Sequence, residues 1–272
     1  MKKVYLIVFV LVILFVVLFV YNPNKISESK NLGQLLLPEK IIGGKESKIL
    51  FVGDMMFDRY IRQVGEKKGD DFIFSCKDSN DISLNDFLKS FDLVVGNLEG
   101  PITNNPSVSM GSIIESPENF TFTFPPTTAK LLAKNNIKLV NLGNNHIGNF
   151  GPEGIDSTKK YLAESGIKYF GQPREARSDS EDAKWGNISF ISYNEFGGES
   201  ADKVAQKIFD EKLEGNIIIV YAHWGDEYSE APERIKNIAN LFVKSGADLI
   251  IGSHPHIILP SDPLVYYSLG NF

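Results

Sequence analysis

NIIIVYAHWGDEY, residues 216–228, decides how this chain is read. Ile217 to Ala222 form a run of mostly β-branched, apolar residues with no polar alternation, as in a strand buried on both faces. The run ends in His223, followed at once by Trp224, Gly225 and two acids. The chain has four histidines, and each stands just past a run of this kind. His146 closes LVNLGNNH, His223 closes IIIVYAH, and His254 and His256 close ADLIIGSHPH. The long polar segments hold none.

Working outward, short apolar runs alternate with amphipathic stretches. ILFVG, DLVVGN, IKLVNLG, IKYFG, ISFISY, NIIIVYA, ADLIIG and LVYYSLG predict strands. TTAKLLAKN, PEGIDSTKKYLAES, ADKVAQKIFDEKL and APERIKNIANLFVKSG predict helices, each ending near a Gly or Asn. This alternation predicts a layered α/β domain. In such sheets functional groups gather just beyond the carboxyl ends of strands. Asp54 follows ILFVG, Asn97 and Glu99 follow DLVVG, and Asn144, Asn145 and His146 follow LVNLG. His223, the His254–His256 pair and Asn271 stand at three more strand ends. Asp, Glu, Asn and His are the oxygen and nitrogen donors that hold Zn, Mn or Fe. In an extended HPH segment both rings point the same way.

Composition bounds the rest. The 272 residues, 43% of them hydrophobic and 23% charged, suit one globular domain with appendages. A net charge of −6 excludes a general nucleic-acid binder, which needs a basic surface. The single cysteine, Cys76, excludes an intrachain disulfide and a thiolate metal cluster.

At the start, MKK precedes eighteen uncharged residues, 4–21, enough to cross about 27 Å as a helix. A cleaved signal peptide has a shorter apolar core and ends in small residues, whereas this run ends in FVYNPNK. Residues 1–21 are therefore expected to be a single-pass transmembrane anchor, with Lys2 and Lys3 inside and the rest outside the cytoplasm. Residues 22–47 read as a linker and 48–272 as the folded domain. Residues 101–126, rich in Asn, Ser and Pro, read as a surface excursion on the rim of the site. The sequence stops at SLGNF, directly after a strand-end motif, and related chains are expected to continue past it.

GDMMFDR, GNLEGP, NLGNNH, HWGDEY, GSHPH and YSLGNF, in this order, resemble the signature of CapA-type capsule-biosynthesis proteins, linked to poly-γ-glutamate capsule formation. That family is similar to the calcineurin-like metallophosphoesterases. The resemblance implies a four-layer α/β/β/α sandwich with a metal centre at the strand ends. It maps prospective ligands onto Asp54, Asn97, Glu99, Asn145, His223, His254 and His256. Met56 stands where the metallophosphoesterase pattern has a His, Asn97 where it has a bridging Asp, and Ile147 where it has an acid. One half-site is nearly complete, which implies about one divalent cation rather than two. Glu227 would orient an imidazole or act as an acid–base group. His146, Asp54 and Glu227 are the candidate catalytic groups; Arg59, Trp224 and Asn144 are the candidate substrate contacts.

Two functions fit these residues. In one, the chain is a membrane-anchored subunit of a capsule synthesis and export assembly, binding an anionic polymer. In the other, it is a metal-dependent hydrolase of a phosphoester or amide, with His146 donating a proton to the leaving group. The His missing at position 56 favours the first; the four retained histidines favour the second.

Overall fold

The computed structural model describes residues 5–10, 14–20, 47–79, 81–171, 182–198 and 200–272. One sheet contains β1 (Tyr5–Val10), β2 (Leu14–Val20), β3 (Ser47–Met55), β4 (Leu93–Leu98), β5 (Ile137–Asn141) and β6 (Lys168–Phe170), in that spatial order. β3 to β6 run parallel. α1 (Arg59–Lys68), α2 (Leu84–Lys89), α3 (Thr127–Lys134) and α4 (Gly151–Glu164) connect its strands. The second sheet contains β7 (Ala183–Trp185), β8 (Ile188–Asn194), β9 (Ile217–His223), β10 (Leu249–Ser253), β11 (Ser261–Asp262) and β12 (Val265–Tyr266). Its spatial order is β11-β12-β10-β9-β8-β7, with α5 (Ala201–Leu213) and α6 (Glu233–Ser245) as crossovers. The mixed α/β class read from the sequence is the class found.

Three buried apolar clusters show how the layers stack. Leu50, Val52, Val94 and Val140 of the first sheet pack against Leu88, Leu132 and Leu162 of its helices. Ile49, Phe51, Val95 and Leu139 meet Phe190, Ile219, Tyr221 and Ile251 between the sheets. Ile218, Val220, Ala222 and Ile250 meet Ile208, Ile235 and Phe242 of α5 and α6. Alternation along each strand therefore sends every second residue between the sheets and the others toward helices. Both faces being dry, the strands are continuous apolar runs.

The N-terminal expectation is not reproduced. The described parts of the uncharged run, Tyr5–Val10 and Leu14–Val20, form an antiparallel pair that continues onto the edge of β3, with Val16 beside Phe51 and Val20 beside Ser47. The run is rich in Val, Ile and Phe, whose strand preference competes with helix wherever an open sheet edge is on offer. Residues 1–4, 11–13 and 21–46, which hold most of the expected linker, lie outside the described residues. No helix among the described residues is long and apolar enough to cross a membrane.

Two glycines let the end of the chain close on both sheets. A Cβ on Gly53 would lie 1.9 Å from the Gly270 carbonyl oxygen, and one on Gly252 would lie 2.1 Å from that of Tyr267. Through this contact Asp54 N–H donates to Gly270 O and Phe272 N–H donates to Asp54 O, each at 2.9 Å.

Candidate metal centre

Strand parity delivers the site. His223 shares the face of Ile219 and Tyr221, so it enters the space between the sheets, where Asn97, on the face of Leu93 and Val95, arrives from the other side. Plain alternation would turn Asp54 toward the helices. An irregularity between Phe51 and Asp54 sets three steps of β3 against two of β4, from Phe51–Val95 to Asp54–Asn97. That bulge re-aims Asp54 to the inter-sheet face.

The buried carboxylate of Asp54 is fully engaged. Its Oδ1 accepts from Asn97 Nδ2 at 2.8 Å and its Oδ2 from the His254 backbone N–H at 2.9 Å. His256 Nδ1 lies 3.3 Å from Oδ2 and 2.9 Å from Asn271 Oδ1. Burial pushes the Asp54 pKa up, but the hydrogen bond from His256 and the neighbouring imidazoles outweigh it and hold it below the usual value. Asp54 is placed to orient His256.

Asn97 is the hub of the polar layer. Its Oδ1 accepts from Asn141 Nδ2 at 3.1 Å and Asn144 Nδ2 at 3.0 Å. With that oxygen filled, the oxygen donor facing the histidines is Glu99. Glu99 Oε1 lies 3.8 Å from both His223 Nε2 and His256 Nε2. Glu99 is buried, and burial first, then Asp54 and Glu227, raises its pKa well above the ordinary 4.5.

Among the described residues, Glu99 Oε1 and His254 Nδ1 are buried in this cluster with no hydrogen-bond partner. Buried polar atoms are almost always paired, and two orphans that can each offer a lone pair suit a cation. Glu99, His223 and His254 bring one ligand atom each to within 4.8 Å of one another; so do Asp54, Glu99 and His256, and Glu227, His254 and His256. Two imidazoles and a carboxylate are the donor chemistry of Zn, Mn or Fe, so the residues fit the expected ion. Burial depresses the pKa of His223 and of His254, leaving both rings in the neutral form that a metal needs. Asn145, exposed at the mouth, holds its Oδ1 2.8 Å from His223 Nε2.

His146 stands at the edge, its Nδ1 3.3 Å from Asn149 Oδ1 and its ring 4.3 Å from that of Phe122. Burial lowers its pKa to about 4, so it is neutral at pH 7. Phe122 belongs to the 101–126 excursion, which is tied down by Ile102–Phe124 bridging and by Thr123 N–H donating to Asp58 at 2.9 Å. Glu227 is half-exposed, its Oε1 4.0 Å from His256 Nε2. Its loop is braced by Arg234, which holds Asp226 at 2.8 and 3.0 Å and Glu195 at 2.7 Å. Glu195 in turn accepts the Gly225 N–H at 2.8 Å.

Three expected substrate contacts are used otherwise. Trp224 follows His223 by one residue and so faces the helices, fully buried, its Nε1–H donating to Tyr267 O at 3.0 Å. Asn144 is buried with both ends of its amide taken: Nδ2 donates to Asn97 and Leu98, and Oδ1 accepts the N–H groups of His146 and Ile147. Arg59 turns its Nε to Asn119 O at 3.0 Å and lies 4.7 Å over the Phe122 ring. Sequence reading passed over Asn141, Ser253 and Phe196. Ser253 Oγ is 2.9 Å from His223 Nδ1, and the Phe196 ring covers His254 at 4.2 Å. Parity was the signal for the first two, since Asn141 follows Leu139 and Ser253 follows Ile251 on the inter-sheet face.

His254 also adopts φ 96°, and His256 φ 59°, conformations that suit glycine. His254→Gly should therefore be more stable than His254→Ala by roughly 1 kcal/mol, since both lose the ring and only Gly relieves the backbone. Urea denaturation of the pair checks this; an equal or lower midpoint for the Gly variant would show the turn to be unstrained.

Comparison with known proteins bears on the same residues. The chain is 26% identical over 246 residues to "PGA biosynthesis protein CapA" of Bacillus subtilis (strain 168), covering 82% of this chain and 62% of that one. It is 25% identical over 267 residues to "Capsule biosynthesis protein CapA" of Bacillus anthracis, covering 88% of this chain and again 62% of the relative. It thus spans less than two thirds of the length of either. Residues 48–272, which contain every donor described above, match the family model described as "Bacterial capsule synthesis protein PGA_cap", and the chain belongs to that family.

Proposed function

We propose that this chain is a membrane-anchored, extracytoplasmic capsule-synthesis protein that binds about one divalent metal ion and uses it to engage an anionic polymer of the poly-γ-glutamate kind. The observation that carries the reading is the pair of orphaned atoms, Glu99 Oε1 and His254 Nδ1, beside His223. A cation there would supply Lewis-acid polarisation of a carbonyl or phosphoryl oxygen, and positive charge to hold a carboxylate. That charge matters because the nearby guanidinium groups are occupied: Arg59 on Asn119, Arg234 on Asp226 and Glu195. Layer order and strand-end donors support kinship with the calcineurin-like metallophosphoesterases. The relatives' printed names support a role in capsule or PGA biosynthesis; a place beside other subunits of a synthesis or export assembly is part of the proposal.

A second reading, active hydrolysis of a phosphoester or amide, draws on His146. Neutral at pH 7, it would gain a proton as an anion arrives and pass it to the leaving group. Turnover of a generic phosphodiester by the metal-loaded chain separates the two.

The test of the main reading is metal uptake. Purified protein offered Mn, Fe and Zn in turn should retain about one equivalent of at least one of them by elemental analysis. No stoichiometric uptake of any would overturn the metal site and leave the histidines as a polyanion pocket. The anchor is tested separately. In lipid the run at residues 4–21 must satisfy its own backbone, which only a helix does for one isolated segment. A reporter phosphatase that works only outside the cytoplasm, fused after residue 47, should be active; an inactive fusion would refute an N-in anchor.

A further inference from the structure

We infer that Ser253 is a positioning residue that supports the His223 tautomer whose Nε2 lone pair faces the cation. The inference rests on the metal site proposed above. Ser253 is the last residue of β10 and pairs in register with His223 at the end of β9. Both are fully buried, so no water competes for the contact between Ser253 Oγ and His223 Nδ1 at 2.9 Å.

In the structure His223 Nε2 lies 2.8 Å from Asn145 Oδ1, an atom that can only accept, so the ring proton sits on Nε2. Nδ1 then carries the lone pair and takes the Ser253 hydroxyl proton. A cation among Glu99, His223 and His254 needs a lone pair on Nε2, the nitrogen 3.8 Å from Glu99 Oε1. Loading therefore shifts the ring proton from Nε2 to Nδ1, with no net gain or loss of protons. Nδ1–H then requires an acceptor. Its neighbours are Ser253 Oγ at 2.9 Å, Asn97 Nδ2 at 3.4 Å and Asp54 Oδ1 at 3.8 Å. Asn97 Nδ2 is itself a donor, and Asp54 Oδ1 lies beyond hydrogen-bond reach. Among the described residues Ser253 Oγ alone can take the proton. Its own hydroxyl proton has a place to go, the Ala222 carbonyl at 3.4 Å. A hydroxyl serves here because it can donate in one state and accept in the other; an amide nitrogen or a methyl cannot.

The experiment compares the parent chain, Ser253→Ala and His223→Ala by zinc titration, together with imidazole nitrogen NMR of the parent. Ser253→Ala should still fold, with a melting temperature lowered by a few degrees, since it deletes one buried hydrogen bond and keeps the packing. Its zinc affinity should fall by roughly 10–100-fold, the usual effect of losing an outer partner of a ligating imidazole. In the parent, the His223 signals should move from the Nε2–H to the Nδ1–H pattern as zinc is added. That second readout stands even if Ser253→Ala fails to fold. Parental zinc affinity in a folded Ser253→Ala chain, or an Nε2–H ring in the loaded parent, would overturn the inference while leaving the metal site intact. Absence of zinc, manganese and iron binding in the parent would overturn both.

Discussion

Glu99→Gln and His254→Ala should each weaken metal uptake by on the order of 100-fold or more, whereas Met56→Ala should leave it unchanged. Gln keeps the size of Glu99 and removes its charge, so the variant isolates electrostatics. The Glu99 carboxylate faces both His223 Nε2 and His256 Nε2 at 3.8 Å, and among the described residues no other carboxylate in this cluster offers the cation a buried oxygen without a hydrogen-bond partner. The same group sets the pH dependence. Its folded pKa is raised by burial and by its acidic neighbours, so without metal the native state favours the protonated form. Stability of the metal-free chain is thus full below its ordinary value of 4.5 and is lost as pH rises through the higher folded value. Glu99→Gln should flatten that decline. Metal affinity runs the opposite way, weakening in acid because the proton on Glu99 competes with the ion. Calorimetric titration at several pH values reads the affinity and urea denaturation of the metal-free chain reads the stability; parental affinity in Glu99→Gln would show that Glu99 is not a ligand.

Gly53→Ala should destabilise the domain by about 4 kcal/mol or more, an effect reserved for a backbone that cannot move aside. The added methyl would meet Gly270 O at 1.9 Å and Gly270 C at 2.8 Å. Relief requires the chain end to leave β3, which breaks the Asp54–Gly270 and Phe272–Asp54 hydrogen bonds and withdraws Phe272 from Phe74. Gly111→Ala is the control: φ is +80° there, yet nothing lies within 4 Å, so about 1 kcal/mol is expected. Chemical denaturation gives the magnitudes, and faster amide exchange at Phe272 in Gly53→Ala would locate the damage. A cost for Gly53→Ala no larger than that of Gly111→Ala would mean the contact is soft.

The strands that carry the site were legible because strands buried on both faces leave unbroken apolar runs, as in β3, β4, β5, β9 and β10. The donors were legible because those runs end in them. What the sequence hid was direction. Trp224 read as a site residue by proximity to His223, although one step along a strand reverses the face. Asp54 ends its apolar run, but it reaches the polar cluster between the sheets only through a bulge that no periodicity announces. Asn144 looked like a free amide beside His146 and is consumed by the turn that presents His146. At the N-terminus, eighteen uncharged residues specify burial without specifying helix or strand, and the sheet edge of β3 resolves the backbone one way where a bilayer would resolve it the other.

Glu99 leaves the first sheet, while His223 and His254 leave the second. Between those sheets the packing is largely apolar, with ties such as the Tyr221 hydroxyl donating to Val52 O at 2.6 Å and Ser192 Oγ donating to Asn141 Oδ1 at 2.7 Å. An ion gripped from both sides would act as a rivet. Shear of one sheet past the other would pull the donors apart, so ion binding would oppose that shear. A tether at residue 47 would feed tension into β3, and a polymer held at the histidines would draw on β9 and β10. The loaded domain would then yield as one body, and the unloaded one would peel along its middle.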